Sequence, residues 1–80
     1  MKTYAYDVEV MVRPVGAQGV FAPAPFTVLL AIPSATAGSV LFEWILQAGD
    51  DYESLGIRSI NGAETKGVGV DHLFLGKEVE

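Results

Sequence analysis

Residues 3–13 alternate without interruption. Tyr4, Tyr6, Val8, Val10 and Val12 form one row, and Ala5, Asp7, Glu9, Met11 and Arg13 form the other. Successive side chains of a strand point to opposite faces, so this pattern predicts a strand with one buried and one wet face. Pro14 ends it, because proline has no N–H to give to a ladder. A second apolar run, Phe26–Ile32, is rich in β-branched and large residues. Its rows (Phe26, Val28, Leu30, Ile32 and Thr27, Leu29, Ala31) are both mostly apolar, which predicts a central strand or one covered on its second face. Between the two runs, Pro14–Pro25 contains Gly16, Gly19, Pro23 and Pro25 and no charge. It reads as a loop that folds over the core or touches another molecule, with Val15, Val20 and Phe21 as its apolar members.

After Pro33 the period changes from two to 3.6. Ala37, Val40, Leu41, Trp44, Ile45 and Ala48 fall on one stripe, which predicts a helix from residue 35 or 39 to residue 49. Ser34, Thr36 and Ser39 are the candidate N-caps, and Gly49 is the stop, since glycine takes a left-handed C-terminal conformation without steric cost. Phe42 and Leu46 lie opposite this stripe, leaving Glu43 and Gln47 as the polar residues between Val40 and Ala48. A helix apolar nearly all round needs cover on more than one side. A chain of 80 residues has little else to cover it with, so a partner is expected, most economically a second copy forming a homodimer.

Asp50–Ser54 reads as a solvated acidic turn, followed by a short strand at Leu55–Ile60 that Gly56 breaks. Asn61-Gly62 is the signature of a type I′ hairpin turn, which needs positive φ at both central residues. Residues from Ala63 onward should return antiparallel and continue as strand over 68–75, with Gly67 and Gly69 inviting a bulge. The tail Lys77–Glu80 is expected to fray. The order strand, strand, helix, strand, strand predicts a single α+β domain over residues 1–80: a mostly antiparallel four-stranded sheet with one helix across one face. That chain shape resembles many small proteins of phages, integron cassettes and other mobile elements, and no motif narrows the resemblance to a family.

Charge and composition remove several functions. Five basic against ten acidic residues give a net charge of −5, which argues against direct nucleic-acid binding and suits a basic protein surface instead. The absence of cysteine excludes disulfides and thiolate metal sites and makes the cytoplasm the default compartment. Prolines 23, 25 and 33 and Glu43 interrupt the apolar stretch Val20–Leu46, so no span of about 20 apolar residues remains to cross a membrane. Lys2 and the charged alternation after it are unlike a signal peptide.

Catalytic chemistry is scarce. His72 follows Asp71, but neighbours on a strand face opposite sides, so the aspartate cannot readily orient the imidazole. Asp50, Asp51 and Glu53 are too few and too close for a calcium loop. Gly16–Gly19 and Gly67–Gly69 lack the features of a phosphate cradle. Neither enzymatic activity nor a metal or cofactor is expected.

The expectation is a self-associating, non-enzymatic interaction protein. In a phage or mobile element it would be an inhibitor of a host defence or regulatory complex, an anti-CRISPR-like role. Its partner-binding candidates are the apolar Phe21, Leu29, Phe42 and Leu46 and the acidic Asp50, Asp51 and Glu53, with Asp7 and Glu9 extending the acidic face. The alternative is a small-molecule binding module. Its apolar pocket would lie between helix and sheet, closed by Val15–Pro25, with Tyr4, Tyr6 or His72 as a polar contact.

Overall fold

The computed structural model describes residues 1–79. Its elements run β1 (Tyr4–Pro14), β2 (Ala22–Leu30), β3 (Ser34–Thr36), α1 (Ala37–Ala48), β4 (Tyr52–Ile60), β5 (Ala63–Glu64), β6 (Leu73–Leu75) and β7 (Lys77–Glu78). The main sheet has the order β2-β1-β4-β5, all antiparallel, while β3 and β6 pair separately. The fold is α+β, as the order of elements predicts, with α1 across one face of the mostly antiparallel sheet.

The long alternating strand is the centre of the sheet. One side of β1 pairs with β2 from Tyr4↔Leu30 to Val12↔Ala22; the other pairs with β4 along Val8–Pro14 and with β7 at Tyr4 and Ala5. Its predicted inner row is the core: Tyr6, Val8 and Val10 pack with Val28, Val40, Trp44, Ile60 and Phe74, all 5% exposed or less. Each such side chain contributes about 1.5–3 kcal/mol relative to exposure, so the helix is held by Val40 and Trp44 rather than by its own propensity. Thr36 caps α1, its Oγ1 accepting the Ser39 N–H at 3.2 Å, and Gly49 ends it at φ +65°. The start at Ala37 falls between the two expected ones, with Thr36 the cap among the three candidates, and the stop at Gly49 is the expected one.

Tyr6 closes the far end of the core. Its hydroxyl donates to the Ile32 carbonyl at 2.7 Å, and its ring lies against the backbone of Gly76, where a Cβ would come within 2.7 Å of Cζ. Only glycine fits there.

Four local expectations are corrected. β2 begins at Ala22, so Pro23 and Pro25 lie within a strand, and that strand is an edge rather than a central one. Prolines are tolerated on an edge because their missing N–H faces solvent. β4 begins at Tyr52, shortening the acidic turn, and it passes Gly56 (φ +119°) through two register shifts opposite β1. The Asn61-Gly62 turn is as expected, with φ +48° and +83° and Ile60 opposite Ala63. The return strand is not continuous: residues 65–72 are turns and irregular chain, and Leu73–Leu75 pairs with β3 instead. The tail pairs with β1 through Lys77 and Glu78, and the Val79 N–H donates to the Thr3 carbonyl at 2.9 Å; Glu80 lies outside the described residues. No helix among them is long and apolar enough to cross a membrane.

Candidate interaction surfaces

α1 turns Val40 and Trp44 fully inward and Ala37, Leu41 and Ala48 partly so. The next residues round its circumference are left outside. Phe42 and Leu46, one turn apart, are each 61% exposed, and Ile45, expected on the inner stripe, is 48% exposed. Phe42 also lines a shallow groove of about 540 Å³ with Leu30, Ile32, Thr36, Ser39 and Glu43. A smaller cleft of about 190 Å³ opens between Phe26, Trp44, Gln47 and Ala48. Phe26 meets Trp44 edge-on, with ring centroids 5.6 Å apart, and the buried Trp44 Nε1 has no hydrogen-bond partner among the described residues. Such an orphan costs about 1–3 kcal/mol. The space directly between helix and sheet is filled by Val10, Val28, Val40 and Trp44, so the clefts lie at its margins.

The open face of the sheet is polar but electrically balanced. Lys77 Nζ lies 2.9 Å from Asp7, Arg58 Nε lies 3.4 Å from Glu9, and Arg13 Nε lies 2.7 Å from Glu53. The hydrogen bond from Lys77 is the main reason the Asp7 carboxyl is held below its ordinary pKa; desolvation is the next effect and opposes it, and the ammonium charge and the Thr27 hydroxyl at 3.2 Å add to the lowering. The acidic face expected from Asp7, Glu9, Asp50, Asp51 and Glu53 is therefore partly neutralised within the chain. Three of those acids already have cations from their own chain. Asp50 and Asp51 are exposed just past the end of α1, with no ion-pair partner among the described residues.

The apolar candidates divide as well. Leu29 stands on the open face of the sheet, 52% exposed. Phe21 is half-buried beneath Arg13, whose guanidinium carbon is 4.3 Å from the ring centroid and which also donates to the Gly19 carbonyl at 2.9 Å. That cation–π contact engages Phe21 within the chain and ties the apolar loop to β1. Leu29 and Phe21 are thus on different footings from the helix residues Phe42 and Leu46.

The residues weighed for chemistry are dispersed. His72 lies in irregular chain, edge-on to Phe74 at 4.9 Å. Ser39 is bound to Thr36 at the helix cap, and the Ser54 hydroxyl accepts the Gly56 N–H at 2.9 Å. Among the described residues no three His, Asp or Glu side chains converge as a metal site. No family model, curated protein or solved structure matches this chain.

The ion-pairing cations Arg13, Arg58 and Lys77 are what sequence patterning misses on this surface. Their partners lie 40, 49 and 70 positions away, and only the strand register brings them together.

Proposed function

We propose that this chain is a non-enzymatic interaction module that self-associates and acts by covering or bridging another protein. The carrying observation is the exposure of Phe42, Ile45 and Leu46 together on one side of the single helix. A phenylalanine or leucine moved from water to a packed contact contributes about 1.5–3 kcal/mol, and isolated soluble monomers seldom leave such side chains adjacent and uncovered. Light scattering across the micromolar range tests the reading: a dimer is expected, and a monomer throughout overturns the self-association. In a phage or other mobile element, the finer reading is an inhibitor of a host defence or regulatory complex. Asp50 and Asp51, free of ion pairs within the described chain, then meet a basic surface. A cysteine-free chain suits the cytoplasm.

One observation favours a second reading. Trp44, whose indole N–H lacks a partner, lines the small cleft beside Phe26. An apolar ligand carrying a hydrogen-bond acceptor fits that chemistry, and ligand-dependent thermal stabilisation tests it.

A further inference from the structure

β2 forms one border of the main sheet, and β1 is its partner there. The direction of its backbone groups follows from β1. The Asp7 N–H donates to Asn61 Oδ1 and the Asp7 carbonyl accepts the Asn61 N–H, both at 2.8 Å, so odd-numbered residues of β1 turn toward the β4 side. Even-numbered residues therefore turn toward β2. The β1–β2 register is unbroken and pairs even with even, so Pro23, Pro25, Thr27 and Leu29 of β2 turn their backbone groups outward. Pro23 and Pro25 have no N–H, which closes that half of the edge to regular pairing. Thr27 and Leu29 keep theirs. Both residues are exposed, and neither has another backbone partner among the described residues.

The opposite border is guarded. β5 pairs with Ser59 and Ile60, Thr65 bonds the Arg58 carbonyl through its N–H and the Ile57 carbonyl through its hydroxyl, and β4 carries two register shifts. Irregularity of that kind discourages edge-to-edge pairing. Within β2, Thr27–Leu30 is a regular edge left open among the described residues.

We infer that a second copy of this chain pairs there, β2 against β2, about a two-fold axis at Val28. Antiparallel pairing about Val28 sets Thr27 opposite the partner's Leu29, and Leu29 opposite the partner's Thr27. Each pair exchanges two N–H···O=C bonds, so four bonds close the seam. The next pair, Pro25 with the partner's Ala31, has a single donor, and regular pairing stops there. This self-match is the argument for a copy of the chain: a short edge bounded by prolines on one side and by Pro33 on the other satisfies itself residue for residue. Side-chain burial agrees. The groove of Leu30, Ile32 and Phe42 flanks the C-terminal end of the same strand, and Leu29 lies on its other face, so joining the sheets covers apolar surface on both sides. An isologous contact of this kind is self-closing and yields a dimer rather than a fibre.

The inference rests on the self-association proposed above and adds where it occurs. Leu29→Pro tests it, because the native prolines already occupy the same outward register and the variant should keep the monomer fold. Leu29→Thr is the control that shortens the side chain and retains the N–H. Light scattering of the full chain should find the wild type and Leu29→Thr dimeric and Leu29→Pro at least tenfold weaker in association, with unchanged circular dichroism. Residue-resolved hydrogen exchange of the wild-type dimer should find the Thr27 and Leu29 amides protected, and this readout decides the matter if Leu29→Pro does not fold. A wild-type dimer in which those two amides exchange freely, or a folded Leu29→Pro that dimerises normally, overturns the β2 seam and leaves self-association standing. A wild-type monomer overturns both.

Discussion

Asn61 holds Asp7 from two sides. Its backbone N–H donates to the Asp7 carbonyl, its side-chain oxygen accepts the Asp7 N–H, and both distances are 2.8 Å. The same side chain donates through Nδ2 to the Leu75 carbonyl at 2.7 Å and, less closely, to that of Ala5 at 3.4 Å. One residue thus makes the hairpin turn at φ +48° and ties β1 to the strand that closes the core with Phe74. Asn61→Ala loses the side-chain bonds and the tolerance of positive φ, a cost of about 2–4 kcal/mol. Asn61→Gly keeps the turn and loses only the bonds, so urea titration should rank it between alanine and wild type. Equal stability of the two variants would contradict this account.

Gly76 is confined by the ring of Tyr6. A Cβ at residue 76 falls 2.7 Å from Tyr6 Cζ and 2.8 Å from Tyr4 Cβ, and Tyr6 is wholly buried with its hydroxyl committed to Ile32. Gly76→Ala must displace ring or backbone, at about 1–3 kcal/mol. Thermal denaturation of the variant should show a clear loss. Gly69→Ala, which meets nothing within 4 Å and is not at positive φ, should be close to neutral.

Two groups set opposite limits on stability with pH. Burial is the main cause that raises the Tyr6 pKa above its ordinary 10.0, with Tyr4 adding to it. The folded state therefore holds that proton more tightly than the unfolded chain. Its contribution is complete below pH 10.0 and is lost as pH rises from there through the folded value. Asp7 is the reverse case: its depressed pKa contributes stability above the ordinary 3.8, lost as pH falls through the lower folded value. Tyr6→Phe should flatten the alkaline fall, and Lys77→Ala should soften the acid one. Denaturant midpoints measured across pH would expose either failure.

Asp50 and Asp51 stand at the carbonyl end of α1, whose last turn carries no basic residue. Negative charge there opposes the helix dipole by roughly 0.3–1 kcal/mol at low salt. Asp50→Asn should raise the melting temperature slightly, an increase that shrinks as salt is added. If the pair also meets a basic partner, the same substitution weakens binding while strengthening the fold. That opposition separates a recognition role from an indifferent surface.

Charging the exposed helix face separates folding from association. Phe42→Glu and Leu46→Glu alter side chains that are 61% exposed, so the stability of the isolated chain should move by no more than about 0.5 kcal/mol. Self-association should weaken in Phe42→Glu, because Phe42 lines the groove beside β2. A large loss of monomer stability would mean that these side chains are packed within the chain itself.

What the sequence determined by itself was local. Alternation assigned Tyr6, Val8, Val10 and Val12 to the core face, the 3.6 period placed the helix, Gly49 and Asn61-Gly62 marked its stop and the hairpin, and the cap was narrowed to Ser34, Thr36 or Ser39, of which the structure uses Thr36. Each of these depends on neighbours within a few residues, where steric and hydrogen-bond rules act directly. The exposure of Phe42 and Leu46 was legible too, as a helix with more apolar surface than one small sheet could cover.

Tertiary structure alone decided which strand lies at the border, where the tail docks, and which acids have cations. Phe26–Ile32 has the apolar character of a central strand, yet β1 takes β4 and β7 on its other side and leaves β2 outermost. Arg13 meets Glu53 across 40 positions because antiparallel register, shifted by bulges, sets them opposite. A residue's own neighbourhood reports which face it shows, but the identity of the chain lying beside it is a long-range choice among competing pairings. The surfaces available for function depend on that choice.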